Sequence, residues 1–191
     1  MNRIDIHGVK IHNVTMSEAV QLIQGWVEEE SQLPRAVYTP NSEIVMQAQR
    51  NPEFKSILNS ADLLVADGAG VVLASKLLKT PLKEKVSGID LAKNLFRVFS
   101  GKNVSFYILG GQPGVAEMAA INLIAEYKKI KIAGYDHGYF KPEEENDVIQ
   151  RINGVKPDIV LVGMGAPKQE YWINRNLYRL NCKVLIGVGG S

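Results

Sequence analysis

The sequence predicts one α/β domain of Rossmann-like type, with a mostly parallel sheet, helices on both of its faces and a small N-terminal β-hairpin. Three observations predict it. Short apolar runs bounded by Gly, Pro, Asn or Asp recur along the whole chain, as buried strands do. These runs are continuous rather than alternating, the pattern of strands covered on both faces. Segments of helical period lie between them, and that alternation is how a parallel sheet is connected.

The elements follow in order. His7 and His12 flank a hairpin-like segment around Gly8 and read as turn or surface residues rather than ligands. Met16, Val20, Ile23 and Val27 share one helical face behind Thr15, with Glu18 completing a capping box. The strand AVYT (36–39) leads into Thr39-Pro40-Asn41, which reads as helix capping with Pro40 at the helix start. Asn51-Pro52 opens another helix by N-cap and N1 chemistry. The strand LLVA (63–66) ends on Asp67. Ile89, Ala92, Phe96 and Phe99 mark a helix behind Ser87, with Asp90 at the box position. After the strand VSFYIL (104–109), Pro113 is set to start a helix whose face carries Ala116, Ala120, Leu123 and Tyr127. The strands KIAGY (131–135), DIVLVG (158–163) and KVLIGV (183–188) complete the sheet. The Glu runs at 28–30 and 143–145 read as solvated helix faces.

Composition narrows the class. A chain of 191 residues fits one domain with a continuous core. Its 46% hydrophobic and 22% charged residues exclude a disordered or collagen-like chain. With 22 basic and 20 acidic residues the net charge is +2, so nucleic acid is not an expected partner. The single cysteine, Cys182, excludes an internal disulfide, suits a reducing compartment and reads as a small core residue. The first residues, MNRIDIHGVKIHNV, lack a charged stretch followed by an apolar one, so no secretory signal is expected. No run of about twenty apolar residues spans a bilayer, which leaves a membrane surface open.

In an open parallel sheet, ligands bind beyond the carboxyl ends of the strands, where helix N-termini offer unpaired N–H groups. Four such ends are rich. Gly110-Gly111-Gln112-Pro113-Gly114 allows close approach of backbone to an anion and reads equally as a diphosphate cradle or as turn glycines. Against the dinucleotide fingerprint, Gly111 and Gly114 fit, Leu109 replaces the first glycine, and Asp136 stands at the distance of a ribose-binding acid. An NAD-dependent oxidoreductase therefore stays open at this point. In Gly163-Met164-Gly165-Ala166-Pro167-Lys168-Gln169-Glu170, a lysine in a helix's first turn opposes the macrodipole, and it reads either as the holder of an anionic partner or as a solvated residue with Gln169 or Glu170 completing a cap. Thr39 and Asn41 are explained by capping alone. Asp67, after four apolar residues and beside Gly68, reads first as an N-cap and second as a partly desolvated carboxylate, whose pKa would rise toward that of a general base. No Asp-x-Asp pair, zinc-spaced His/Cys cluster or G-x-S-x-G elbow occurs, so neither a metal nor a serine nucleophile is expected.

Taken together and in order, TPNSEIVMQAQRNPEF, LLVADGAGVVLASK, GIDL, ILGG, HGYF and GAPKQE resemble the WecG/TagA/CpsF family of bacterial glycosyltransferases across essentially the whole chain. The resemblance is strongest to its TagA-type branch, which serves wall teichoic acid synthesis. It implies an inverting transfer of N-acetylmannosamine from its UDP-activated form to polyprenyl-diphosphate-linked N-acetylglucosamine, forming a β-1,4 bond. Asp67 matches the family's proposed catalytic base, and Thr39, Asn41 and Gln169 match polar active-site positions. Tyr139 and the glycine loops, with Gly110, Gly111, Gly163 and Gly165, match the nucleotide-side pocket, joined by Asp136. Lys168 or Lys85 would stabilise the departing UDP. No cofactor and no metal beyond the UDP-sugar is expected, and a non-catalytic nucleotide-binding descendant is the other alternative.

Two departures stand out. Lys85, in KEKVSGIDL, occupies a position where family members commonly carry arginine, which keeps the charge but loses bidentate phosphate binding. The chain also stops at GVGGS, where the family continues for several dozen residues. The expectation is a shortened catalytic core, spanning 1–191, whose tail would complete the site and touch the cytoplasmic face of the plasma membrane. An apolar surface left near the last strand would then favour homo-oligomers.

Overall fold

A computed structural model describes residues 1–30 and 33–189. Strands β1 (Arg3–Ile6) and β2 (Val9–His12) form an antiparallel hairpin that turns at His7 and Gly8, both with positive φ. Helix α1 (Met16–Glu28) follows, and its Thr15–Glu18 capping box is fully formed. Then come β3 (Arg35–Tyr38), α2 (Ser42–Arg50), α3 (Pro52–Asn59), β4 (Leu63–Leu64), α4 (Ala69–Leu77) and α5 (Gly88–Phe99). The second half runs β5 (Ser105–Gly110), α6 (Val115–Glu126), β6 (Lys131–Asp136), α7 (Glu145–Val155), β7 (Ile159–Gly163), α8 (Lys168–Asn176) and β8 (Val184–Gly187).

The last six strands form one sheet in the order β4-β3-β8-β7-β5-β6, every adjacent pair parallel. All carboxyl ends therefore lie along one edge. Core side chains fill both faces, as the continuous apolar strands predict. The hairpin, α2, α3, α7 and α8 pack on one side, while α1 and α5 pack on the other. The stripe on α5 shows how sequence becomes packing: Phe96 and Phe99 set their rings 5.0 and 6.2 Å from that of Phe106 on β5. Each ring so buried contributes about 1.5–3 kcal/mol.

Several local expectations need correction. At Ser87 only half the box forms: the hydroxyl accepts the Asp90 N–H, but the Asp90 carboxylate takes the Ser87 hydroxyl proton rather than the cap N–H. Ile89 is not on the buried face of α5; Leu91, Ala92, Leu95, Phe96 and Phe99 are, and Ile89 is exposed. Pro113 lies in the turn before α6, which starts at Val115 behind Gly114 in the left-handed region. Pro40 precedes the cap of α2, which is Asn41. Glu145 is not a solvated face residue, because Arg175 and Arg179 both reach it. His12 is buried rather than superficial. Its Nδ1 accepts the Leu64 N–H at 2.9 Å, tying the hairpin to β4, and its Nε2 lies 3.0 Å from Arg3 Nε. Burial, then the Arg3 charge, lowers its pKa to about 4. Cys182 is a core residue, its thiol pushed up to about 12 chiefly by burial.

Candidate functional site

Two cavities open along the carboxyl edge of the sheet. The smaller, about 290 Å³, is lined by Thr39, Asn41, Glu43, Ile44, Gln47, Asp67, Ala166, Val188 and Gly189. The larger, about 900 Å³, runs from the loops after β5 and β7 into the groove between α5 and α6. Val188, just past β8, belongs to both walls.

Asp67 stands where β4 ends. Its own N–H donates to Pro40 O at 3.0 Å, which fixes the backbone against the β3 end. The carboxylate does not cap α4, whose N-cap is Gly68 without a side-chain bond. Instead Oδ2 accepts the N–H of Gly88, the first residue of α5, at 3.2 Å. So the carboxylate does meet a helix N-terminus, but one brought to it from 21 residues away. One face stays half-buried on the small cavity.

Thr39 is buried and donates its hydroxyl to Gly187 O at 3.1 Å, joining the ends of β3 and β8. A Cβ on Gly88 would stand 2.8 Å from that Thr39 hydroxyl oxygen and 3.2 Å from Val188 Cα. Only glycine lets α5 begin this close to the two strand ends. Asn41 caps α2 through Oδ1, which accepts the Ile44 N–H at 2.9 Å. Its amide nitrogen is the part left for the cavity. Glu43 and Gln47, four residues apart on α2, line the same wall and were missed by sequence reasoning; an i, i+4 pair behind an N-cap was the available signal.

Gln169 lines neither cavity. It is 1% exposed, its Oε1 accepts the Gly189 N–H at 3.1 Å, and its Nε2 donates to Glu170 Oε1 at 2.7 Å. It fastens the segment after β8 instead of facing a ligand. Glu170 beside it is also 1% exposed, and its Oε2 has no partner among the described residues. Burial raises its pKa, only partly offset by the Gln169 amide.

The larger cavity gathers Gly110, Gly111, Gly163, Gly165, Tyr139 and Lys168. Gly110 and Gly163 face each other across β5 and β7, and a Cβ on Gly110 would lie 2.4 Å from Gly163 O. The backbone is thereby bared at the mouth. Lys168, the first residue of α8, donates to Gly138 O at 2.7 Å and lies 5.6 Å from the Tyr139 ring centre. Its charge is held over this cavity with donors to spare. Tyr139 is exposed at the rim.

Two expected binding residues sit elsewhere. Asp136 lines neither cavity: Arg151 grips both its oxygens at 2.9 Å and the Tyr107 hydroxyl donates to it at 2.6 Å. Its carboxylate is committed to a structural ion pair, with the Tyr107 hydroxyl pushed up by burial and by that neighbour. Lys85 is exposed and lines neither wall. Among the described residues, no helix is long and apolar enough to cross a membrane.

Comparison with known proteins adds independent findings. The model of the family described as "Glycosyl transferase WecG/TagA/CpsF family" matches residues 4–191. A Staphylococcus aureus (strain MRSA252) N-acetylglucosaminyldiphosphoundecaprenol N-acetyl-beta-D-mannosaminyltransferase is 38% identical over 189 residues, which are 99% of this chain and 74% of the relative. The protein of the same name from strain COL is 37% identical with the same coverage.

Proposed function

Starting from the WecG/TagA/CpsF family of glycosyl transferases, to which this chain belongs, we propose that it transfers N-acetylmannosamine from UDP-N-acetylmannosamine to polyprenyl-diphosphate-linked N-acetylglucosamine. The bond made is β-1,4, formed with inversion, and the product serves wall teichoic acid linkage. The observation that carries this reading is Asp67, a carboxylate half-open to a small polar cavity that abuts a larger glycine-lined one. Inversion by single displacement needs such a division: a base on the acceptor side and positive potential on the leaving-group side.

In this reading Asp67 takes the proton from the acceptor hydroxyl as that oxygen attacks the anomeric carbon. The anomeric carbon–oxygen bond to UDP breaks, and the electron pair leaves on the diphosphate. Lys168 and the N–H groups at the start of α6 meet that charge. Gly88 N–H, bonded to Asp67 Oδ2, holds the carboxylate in place and leaves Oδ1 as the basic atom. The amide nitrogen of Asn41 orients the sugar, while Thr39 and Gln169 act as positioning residues that hold the β3 and β8 ends. No step in this scheme calls on a metal. A lipid-linked acceptor puts the enzyme at a membrane surface, which we take to be the cytoplasmic face of the plasma membrane; a lone buried cysteine suits that compartment.

The test is a transfer assay with a short-chain lipid-diphosphate N-acetylglucosamine acceptor and a panel of UDP sugars. Turnover should select UDP-N-acetylmannosamine and yield the β-linked product. Equal use of the other sugars, or retention of configuration, overturns the assignment.

A further inference from the structure

Directly behind Asp67 the chain forms a surface that the proposed reaction does not use. Helix α4 begins at Ala69 and buries Val71 and Ser75. Its outward face carries Leu73, Lys76 and Leu77, and the turn that follows adds Leu78 and Lys79. Leu73, Leu77 and Leu78 are 59, 76 and 46% exposed. Single exposed leucines are ordinary, but three together mark an interaction face.

The charge around them is one-sided. Residues 68–83, GAGVVLASKLLKTPLK, contain three lysines and no acid. Lys83 is paired with Glu18 at 2.7 Å, but Lys76 and Lys79 have no partner among the described residues. The surface is also built rather than loose. Ser75 Oγ donates to Val72 O and accepts the Leu82 N–H at 3.0 Å, Thr80 N–H donates to Ser75 O, and Leu82 is buried. That clamp holds the leucines and lysines outward.

We propose that α4 and its following turn are a membrane-docking face for an anionic phospholipid surface. The leucines enter the headgroup boundary and Lys76 and Lys79 pair with lipid phosphates, the combination that interfacial helices use. Charge complementarity selects this occupant. The other exposed apolar helix face, on α6, presents Val115, Met118, Ile121 and Ile124, yet residues 115–126 carry two acids and no base. Within the helices themselves an anionic bilayer is favoured by Lys76 on the first face and disfavoured by Glu117 and Glu126 on the second, where Lys128 and Lys129 come only after the helix ends. The orientation has a use that rests on the function proposed above: α4 starts at the wall of the small cavity, and its nine residues span about 14 Å. A bilayer against α4 would bring a lipid-linked sugar up to Asp67.

The test is co-sedimentation of the intact chain with phosphatidylcholine vesicles, with and without phosphatidylglycerol. Binding is expected only with phosphatidylglycerol and should weaken with added salt. Lys76→Glu/Lys79→Glu should reduce it about twentyfold or more, at roughly fivefold per lysine charge. Leu73→Ser/Leu77→Ser should reduce it about tenfold, and Met118→Ser/Ile121→Ser should leave it unchanged. Melting temperature and UDP binding serve as folding controls, since neither depends on this face. Absence of binding to either vesicle, binding indifferent to composition, or binding untouched by both α4 variants overturns the proposal. A fall in solution mass in the leucine variant also overturns it, by assigning the face to a second copy. UDP binding that persists through such a failure leaves the proposed transfer standing.

Discussion

The two cavities share a wall at Val188 but are made of different materials. The small one is polar, set by side chains from β3, β4 and α2: Asp67, Asn41, Glu43 and Gln47. The large one owes its polar end to backbone, with Gly110, Gly111, Gly163 and Gly165 exposing N–H and C=O groups and Lys168 as its fixed cation, while its long arm between α5 and α6 is apolar. Side chains give directional proton chemistry; bared backbone gives close approach to an extended anion. In the proposed reaction catalysis and nucleotide binding fall to separate parts of the sheet edge, so each part can be damaged without the other.

The largest expected effect is on the polar side. Asp67→Asn keeps the size of the group and an acceptor for Gly88 N–H but removes the base, so transfer should fall about 10²–10⁴-fold, with UDP affinity by calorimetry within about twofold. An equal loss in both would mean that the two cavities are one functional unit. Lys168→Ala acts on the other side. Losing a charge-assisted contact should weaken UDP binding about ten- to a hundredfold while leaving the melting temperature nearly unchanged. Weaker UDP binding matched by an equal fall in stability would make Lys168 structural, through its bond to Gly138 O.

The smallest effect is an acid-side loss of stability set by His12, which ties the hairpin to β4. His12 has its pKa lowered to about 4 from 6.5, so between these values the unfolded chain binds a proton that the folded chain refuses. Stability is therefore full above about pH 6.5 and declines as pH falls toward 4, by about 1–3 kcal/mol. Because His12 anchors Leu64, three residues before Asp67, urea midpoints at pH 7 and pH 5 should differ less in His12→Asn than in the parent. An unchanged difference would remove His12 from the account.

How much of this was legible in the sequence depends on how far each partner lies along the chain. Strand positions, the Thr15 box and the Asn51-Pro52 start were readable because apolar runs and caps act within a few residues. The site was legible as a set of strand ends, since parallel connectivity forces Thr39, Asp67, Gly110 and Gly163 to one edge. What each side chain does there was not. Asp67 meets Gly88, Gln169 meets Gly189, and Asp136 meets Arg151 and Tyr107, pairings set by packing between segments 15 to 29 residues apart. Ile89 reads as core by its period, yet it faces the interhelical groove because α5 rotates to seat Leu91 and Leu95. The outward leucines of α4 have no local signal that separates them from core.

In the proposed mechanism an acceptor-activating carboxylate and a diphosphate-holding loop set occupy neighbouring but distinct cavities. A crystal structure with UDP bound tests it most directly. The diphosphate is expected in the larger cavity, within hydrogen-bonding distance of Lys168 Nζ and the amides of 111–115, with Asp67 still bonded to Gly88 and facing open space. A diphosphate lodged against Asp67 in the smaller cavity would contradict it.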